Sequence, residues 1–281
     1  MKKKLFLAIM TAAVLFAACG KKPADKKATE PKENKTQTEV SNTAKDKPES
    51  KDEENNDTEK DIAKSLEDIQ SSASNVQQEI TKVSEYAKTF EAYHEKDVSQ
   101  TELNELSRYP VVIWETEMKS LWNRYAKNAS DDEKKSQETW ESLEASVIET
   151  QLNAYKDGSI YPLMTNDTYA LFNKHRAYYI ASLIADANKE TFALPDRDVY
   201  GSYATEDGKS MLTIQPGMES GYEAILQIDG KKAITGSVEE NGDDYVFTSD
   251  DGKTKASLSL KWFGAAVTMD NSDMYEFSIV Y

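Results

Sequence analysis

Cysteine is almost absent from this sequence: Cys19 is the only one among 281 residues. One thiol cannot form an internal disulfide, so the folded part must be stabilised by its own core. Histidine is nearly as rare, and His94 and His175 stand far apart, which argues against a Ser–His–Asp triad or a histidine-rich metal site. No glycine-rich phosphate loop is present. The sequence therefore predicts no metal, no cofactor and no catalytic residue, and we expect a protein that is not an enzyme.

Long hydrophobic runs are missing too, apart from residues 5–18 ahead of Cys19. Three lysines precede this run, and it closes on Phe16-Ala17-Ala18. The run is too short to span a bilayer, and a charged start with a small-residue end is typical of a cleaved signal. We therefore predict a signal peptide over residues 1–18.

The residues around the predicted cut resemble the lipobox of bacterial lipoproteins, with Phe16 where that box usually has an aliphatic residue. The resemblance implies that the sulfur of Cys19 carries acyl chains. Several acyl chains would hold the protein durably at a membrane, and we expect it at the extracytoplasmic face of the cell membrane. The alternative is an ordinary secretory signal with an incidental cysteine.

Positive charge is outnumbered, since 34 Lys and Arg residues stand against 50 Asp and Glu residues, for a formal net charge of −16. Residues 195–281 alone contain 7 basic and 16 acidic residues. Such a chain is repelled by nucleic acid and by anionic headgroups and is attracted to cationic partners. The alternative is that the negative charge only keeps the protein soluble and attracts no specific partner. So many carboxylates also leave open a glycosidase-type pair, because such pairs meet in space rather than in sequence.

Apolar residues are nearly missing from residues 20–57, where Val40 is the only large aliphatic side chain. Such a segment cannot bury enough surface to offset the entropy of ordering. We predict that residues 19–57 form a lipidated, disordered tether.

A helical domain is predicted over residues 58–192. It opens with a heptad pattern, which predicts one long helix. The pattern consists of Ile62, Leu66, Ile69, Ala73, Val76, Ile80, Val83, Ala87 and Phe90. The pattern is compatible with a homotypic coiled coil and with a helix that packs onto the following helices. We favour packing onto the following helices, which predicts a monomer. Further helices are expected over residues 101–125, kinked or split by Pro110, from the capping box at Ser130, and over residues 166–188.

After Pro195 the pattern changes to short alternating runs separated by Asp-Gly and Asn-Gly turns. These dipeptides favour hairpins because tight turns need positive φ. Eight such runs predict a small antiparallel barrel or sandwich over residues 196–281. The acidic turns lack the ligand spacing of a calcium loop, so we interpret them as turn chemistry.

Four motifs between residues 99 and 187 resemble the LprI-type lysozyme-inhibitor-like domain family. They are Gln100-Thr101-Glu102-Leu103-Asn104, Trp114-Glu115-Thr116-Glu117-Met118, Gln137-Glu138-Thr139-Trp140 and Gly158-Ser159-Ile160-Tyr161-Pro162-Leu163. Glu115 replaces the usual Asp, Lys119 replaces Asn, and the family's paired cysteines are absent. We expect the matching positions to be structural: Gln100, Glu102, Asn104, Trp114, Glu117, Gln137, Trp140, Gly158 and Pro162.

The resemblance implies a small helical domain, often lipid-anchored, named for members that inhibit lysozyme. Lysozymes are often basic, and an acidic chain would be steered toward one. We therefore expect an α+β multidomain lipoprotein that acts by binding, with a cationic envelope hydrolase such as lysozyme as its partner. The alternative is a structural or accessory envelope lipoprotein whose β-domain binds a small ligand or partner.

Overall fold

A computed structural model describes residues 51–95, 97–217 and 221–281 of the chain. The predicted signal peptide, Cys19 and the predicted tether as far as residue 50 lie outside the described residues. The described residues belong to one compact unit.

The first part of this unit is helical. Its six α-helices are α1 Lys51–Ser72, α2 Val76–Glu91, α3 Gln100–Leu106, α4 Arg108–Tyr125, α5 Asp131–Leu152 and α6 Tyr161–Asn188. Short 3₁₀ turns follow α2 and α5, at Ala92–Glu95 and Asn153–Tyr155. Among the helices of the described residues, none combines the length and the apolar character that crossing a bilayer requires.

The predicted single long helix is wrong, because the heptad pattern is divided between α1 and α2. Asn75 adopts an extended backbone, and its side chain accepts a hydrogen bond from the Gln78 N–H, which caps α2. Six of the nine pattern residues are buried and the other three are half-buried, and both helices pack against α4. The break therefore folds one continuous apolar stripe into two helices that cover the same neighbour.

The split that Pro110 predicts near Tyr109 is found two residues earlier, at Ser107. Ser107 ends α3, and Pro110 lies in the first turn of α4. Proline fits there because the first turn of a helix does not use its backbone N–H groups for internal hydrogen bonds.

Antiparallel β-structure follows the helices, as the sequence predicts. The strands are β1 Gly201–Ala204, β2 Met211–Pro216, β3 Tyr222–Gln227, β4 Ile234–Asn241, β5 Asp244–Ser249, β6 Lys255–Lys261, β7 Gly264–Met269, β8 Met274–Phe277 and β9 Ile279–Val280. Successive strands from β1 to β8 pair with each other, and β9 pairs with β1. Because β8 and β9 are consecutive pieces of one segment, interrupted only at Ser278, the sheet closes almost completely into a barrel.

Apolar side chains fill the interior of this barrel. The fully buried ones include Leu212, Ile214, Leu226, Phe247, Leu258, Val267 and Phe277. Gly236 allows β4 to approach β5 closely, since a Cβ there would lie 2.2 Å from the carbonyl oxygen of Thr248. The interior is thus a packed core.

Candidate functional site

The first motif of the helical part closes the N-terminal end of α3. Ser99 and Glu102 form a capping box. Gln100 Nε2 donates to Asn104 Oδ1 over 2.9 Å, and Asn104 Nδ2 donates to the Ser159 carbonyl oxygen over 3.4 Å. The structure therefore brings Gln100, Glu102 and Asn104 together at the loop before α6, where they position the backbone.

Gly158 and Pro162 lie on the other side of this contact. The Gly158 N–H donates to the Tyr155 carbonyl oxygen over 2.9 Å, and Pro162 lies in the first turn of α6. One turn later, Asn166 Nδ2 donates to the Asn104 carbonyl oxygen over 3.2 Å. The residues of these two motifs thus fasten α3 to the start of α6.

Glu117 belongs to a buried polar cluster between α1, α2 and α4. Its side chain is fully buried, and its Oε2 accepts a hydrogen bond from Gln70 Nε2 over 3.0 Å. Its Oε1 has no hydrogen-bond donor among the described residues. Burial, and then the nearby Glu79 carboxylate, raise the pKa of Glu117 to about 8. The buried Glu79 is itself bound by both terminal nitrogens of Arg124.

Glu117 is therefore held neutral near pH 7, beside the Glu79 side chain. These two side chains line neither of the two clefts described below. Trp114, on the same helix as Glu117, is also buried, and its ring lies 6.1 Å from that of Tyr178. We assign both residues to the helical core.

Gln137 and Trp140 join the helices to the barrel. Gln137 Oε1 accepts a hydrogen bond from Arg176 Nε over 2.8 Å, and the Arg176 guanidinium lies over the Trp140 ring. Trp140 Nε1 donates to the Val280 carbonyl oxygen over 3.1 Å, and its ring stacks on Tyr281. The Tyr281 hydroxyl in turn donates to the Trp140 carbonyl oxygen over 3.2 Å.

His175 completes this junction. Its Nδ1 lies 3.0 Å from the main-chain oxygen of Tyr281, a distance that requires the proton on Nδ1. Burial, and then the charge of Arg197, lower the pKa of His175 to about 3, so the imidazole is neutral. Sequence reasoning missed His175, Arg176 and Tyr281. The available signal was Arg176 at the start of the otherwise largely apolar stretch 176–185.

One end of the barrel combines tyrosines with carboxylates. The rings of Tyr200 and Tyr222 are 5.6 Å apart, and those of Tyr222 and Tyr245 are 6.3 Å apart, both close to edge-on. All three side chains are half-buried, while Asp198 and Glu240 are exposed. After burial, the charges of Asp198 and Glu240 are among the causes that raise the pKa of Tyr245. We call these five residues the acidic tyrosine surface.

The β4–β5 hairpin extends this surface. Its tip carries the further carboxylates Glu239, Asp243 and Asp244. No ion pair within 4.0 Å engages these three among the described residues. Negative charge at this end therefore faces solvent without a partner in the described chain.

The opposite end of the barrel holds a cleft of about 360 Å³. Strand β3 connects the two ends, since Tyr222 begins it and Ile228 follows its last residue. The cleft floor consists of apolar side chains, and four lysines stand at its rim: Lys231, Lys232, Lys253 and Lys255. We call it the lysine cleft. It was missed because the four lysines come from two different hairpins and meet only in the folded barrel.

A second crevice, of about 350 Å³, lies between α2, α6 and residues 195–200. Its charged side chains are Lys88, Lys174, Asp196, Arg197 and Asp198. Arg197 Nη1 donates to the Trp262 carbonyl oxygen over 2.6 Å, and burial lowers the pKa of Arg197. Because cations and carboxylates are mixed here, charge alone does not define a ligand for this crevice.

Within residues 51–95, 97–217 and 221–281, no group of three or more His, Cys, Asp or Glu side chains is placed to hold a metal ion. Comparison with protein-family models, with curated proteins and with solved structures found no match to this chain.

Proposed function

We propose that this protein is a lipid-anchored, extracytoplasmic binding protein that captures a cationic protein, with an envelope hydrolase such as lysozyme as its partner. The observation that supports this proposal is the acidic tyrosine surface. It places three half-buried tyrosines beside Asp198 and Glu240 on a chain of net charge −16.

Tyrosines and carboxylates make different contributions to such an interface. Tyrosine supplies a large contact area with few rotatable bonds, and it is enriched among the residues that dominate binding energy. Its ring face also attracts Lys and Arg side chains. Exposed carboxylates mainly raise the association rate, because they steer an oppositely charged partner toward the surface.

Membership in the LprI-like family is part of the same proposal. The positions that carry the resemblance lie in capping, core and junction contacts, among them Glu102, Glu117 and Trp140. They support a shared helical framework. The binding surface proposed here lies instead on the barrel, which that resemblance does not cover.

The test uses the unlipidated chain of residues 20–281 and a hen-type lysozyme. We expect inhibition of cell-wall lysis at low salt, with an association rate that falls as salt rises. The double variant Asp198→Lys with Glu240→Lys should lower that rate by about tenfold or more, a typical scale for steered association. The matched control reverses two exposed helical carboxylates, Glu67→Lys with Glu138→Lys, and should change the rate less than about twofold if the barrel surface is the site.

Equal losses in the two double variants would show that overall charge, and not this surface, attracts the enzyme. An unrelated protein of similar negative charge is the second control, because polyanions bind lysozyme weakly. Binding that leaves lysis unaffected would refute the inhibitor proposal. The alternative, an accessory lipoprotein whose barrel binds a small ligand, is supported by the lysine cleft.

A further inference from the structure

The lysine cleft lies at an open end of the barrel, where strand interiors meet solvent. Its floor continues the packed core: Leu226 is fully buried, whereas Ile228, Ile234 and Met269 are only partly covered. These three positions continue the inward-facing series of their strands and line the cleft. The cleft therefore presents an apolar surface inside a barrel mouth, a frequent position for small-molecule sites.

Positive charge is concentrated around this floor. Residues 195–281 contain 7 basic side chains, and four of them stand at the rim of the cleft. Lys231 and Lys253 are paired with carboxylates of their own turns, at 3.8 Å from Asp229 and 3.1 Å from Asp251. Lys232 and Lys255 are exposed and have no ion pair within the described residues.

Most carboxylates near the rim accept hydrogen bonds from neighbouring residues. Asp251 accepts hydrogen bonds from the Ser249 hydroxyl and the Lys253 backbone N–H, and Asp250 accepts one from the Thr235 hydroxyl. Asp273 accepts one from Asn271. Asp270 is the remaining carboxylate that lines the cleft. By the same criterion of ion pairs, Lys232 and Lys255 equal in number the two carboxylates that line the cleft, Asp270 and Asp273.

We propose that the lysine cleft binds a single-chain anionic amphiphile. Its apolar chain would cover Ile228, Ile234 and Met269, and its carboxylate or phosphate would lie at Lys232 and Lys255. A volume of about 360 Å³ lies within the range of ligand pockets, about 300–1,000 Å³. This proposal does not depend on the cationic partner, since the acidic tyrosine surface is at the opposite end of the barrel.

The test measures binding of radiolabelled dodecanoate, below its micelle concentration, to residues 20–281 by equilibrium dialysis. We expect saturable binding at one site, and weaker binding of the uncharged dodecanol. Lys232→Glu with Lys255→Glu should weaken dodecanoate binding by at least about tenfold, because it replaces two attractions with repulsions. Lys232→Arg with Lys255→Arg keeps both charges and should retain binding within about threefold.

The matched control is Lys209→Glu with Lys261→Glu, which makes the same charge change on exposed lysines outside the cleft. It should leave dodecanoate binding within about twofold of the original chain. All variants change exposed side chains, and an unchanged thermal midpoint would verify their folding.

Vesicles of phosphatidylcholine and phosphatidylglycerol distinguish a free amphiphile from a membrane surface. Binding to vesicles without binding of monomeric dodecanoate would overturn the proposal in favour of headgroup contact. Absence of saturable binding, equal binding of dodecanol, or equal losses in the cleft and control variants would each overturn it as well.

Discussion

Glu117 should make the stability of this protein fall as the pH rises through neutrality. Its pKa in the folded state is about 8, against an ordinary value of 4.5. Between these values the folded chain holds a proton that the unfolded chain releases. The free energy of unfolding therefore decreases with rising pH by up to about 1.4 kcal/mol per unit. Below pH 4.5 both states are protonated and the residue contributes no slope.

The substitution Glu117→Gln removes this titration and keeps the shape of the side chain. A glutamine oxygen can still accept from Gln70 Nε2, and its amide can donate to the Glu79 carboxylate. From pH 6.5 to pH 8, the wild-type protein should lose about 1.5 kcal/mol relative to the variant, as the two pKa values require. For a unit of this size the difference corresponds to about 3–6 °C in the thermal midpoint.

Urea unfolding at constant ionic strength, followed by circular dichroism at pH 5, 6.5, 7.25 and 8, would measure this difference. Other titrating groups are common to both proteins and cancel in the comparison. Glu138→Gln, at an exposed position of α5, is the control and should follow the wild-type curve. Parallel curves for Glu117→Gln and wild type from pH 6.5 to 8 would show that Glu117 is charged in the fold and would refute the reasoning.

Three further outcomes are expected. Cys19→Ser should abolish lipid attachment, since no other cysteine exists to form the thioether, and retention of the processed mutant in the membrane fraction would contradict this. Trp140→Phe should cost about 1–3 kcal/mol in urea unfolding because it leaves the buried Val280 carbonyl oxygen without its donor, whereas Trp122→Phe at a half-buried indole should cost less. Burial lowers the pKa of His175 to about 3, so the unfolded chain takes up a proton below pH 6.5 that the folded chain does not, and the free energy of unfolding should decrease as the pH falls. His175→Gln should therefore make the urea midpoint less dependent on pH between pH 6.5 and 4.

The β-strands could be predicted closely because each is bounded by turn chemistry of short range. Gly242, with a φ of 70°, lies in the Asn-Gly turn between β4 and β5 that the sequence indicates. The last predicted strand corresponds to β8 and β9 together. Its interruption at Ser278 depends on pairing with two different neighbours, β7 and β1, which no local pattern reports.

The break between α1 and α2 was missed for a related reason. A heptad pattern reports which face is buried, and the same face stays buried across the break. Only the cap at Asn75 marks the boundary, and one asparagine inside a periodic stretch is a weak signal.

The two proposed binding surfaces were least predictable, because their residues come from different hairpins. Tyr200, Tyr222 and Tyr245 lie on separate segments and meet only when the barrel forms. The motif residues Gln137 and Trp140 could be singled out by resemblance, but their partners Arg176 and Tyr281 could not. A short motif identifies the residue types at its own positions, but the residues that contact them come from distant parts of the chain.

The contact between Trp140 and the last strand has a consequence for the order of folding. The two hydrogen bonds that join Trp140 to Val280 and Tyr281 span sequence separations of 140 and 141 residues. Contacts of such high separation form late, because the entropy of closing the intervening loop must be overcome first. We therefore expect the α5–α6 helix pair to keep the Trp140 indole exposed until the barrel closes. Helix assembly and barrel closure should end in one shared kinetic step, and that step is the interval in which the chain is most open to proteases.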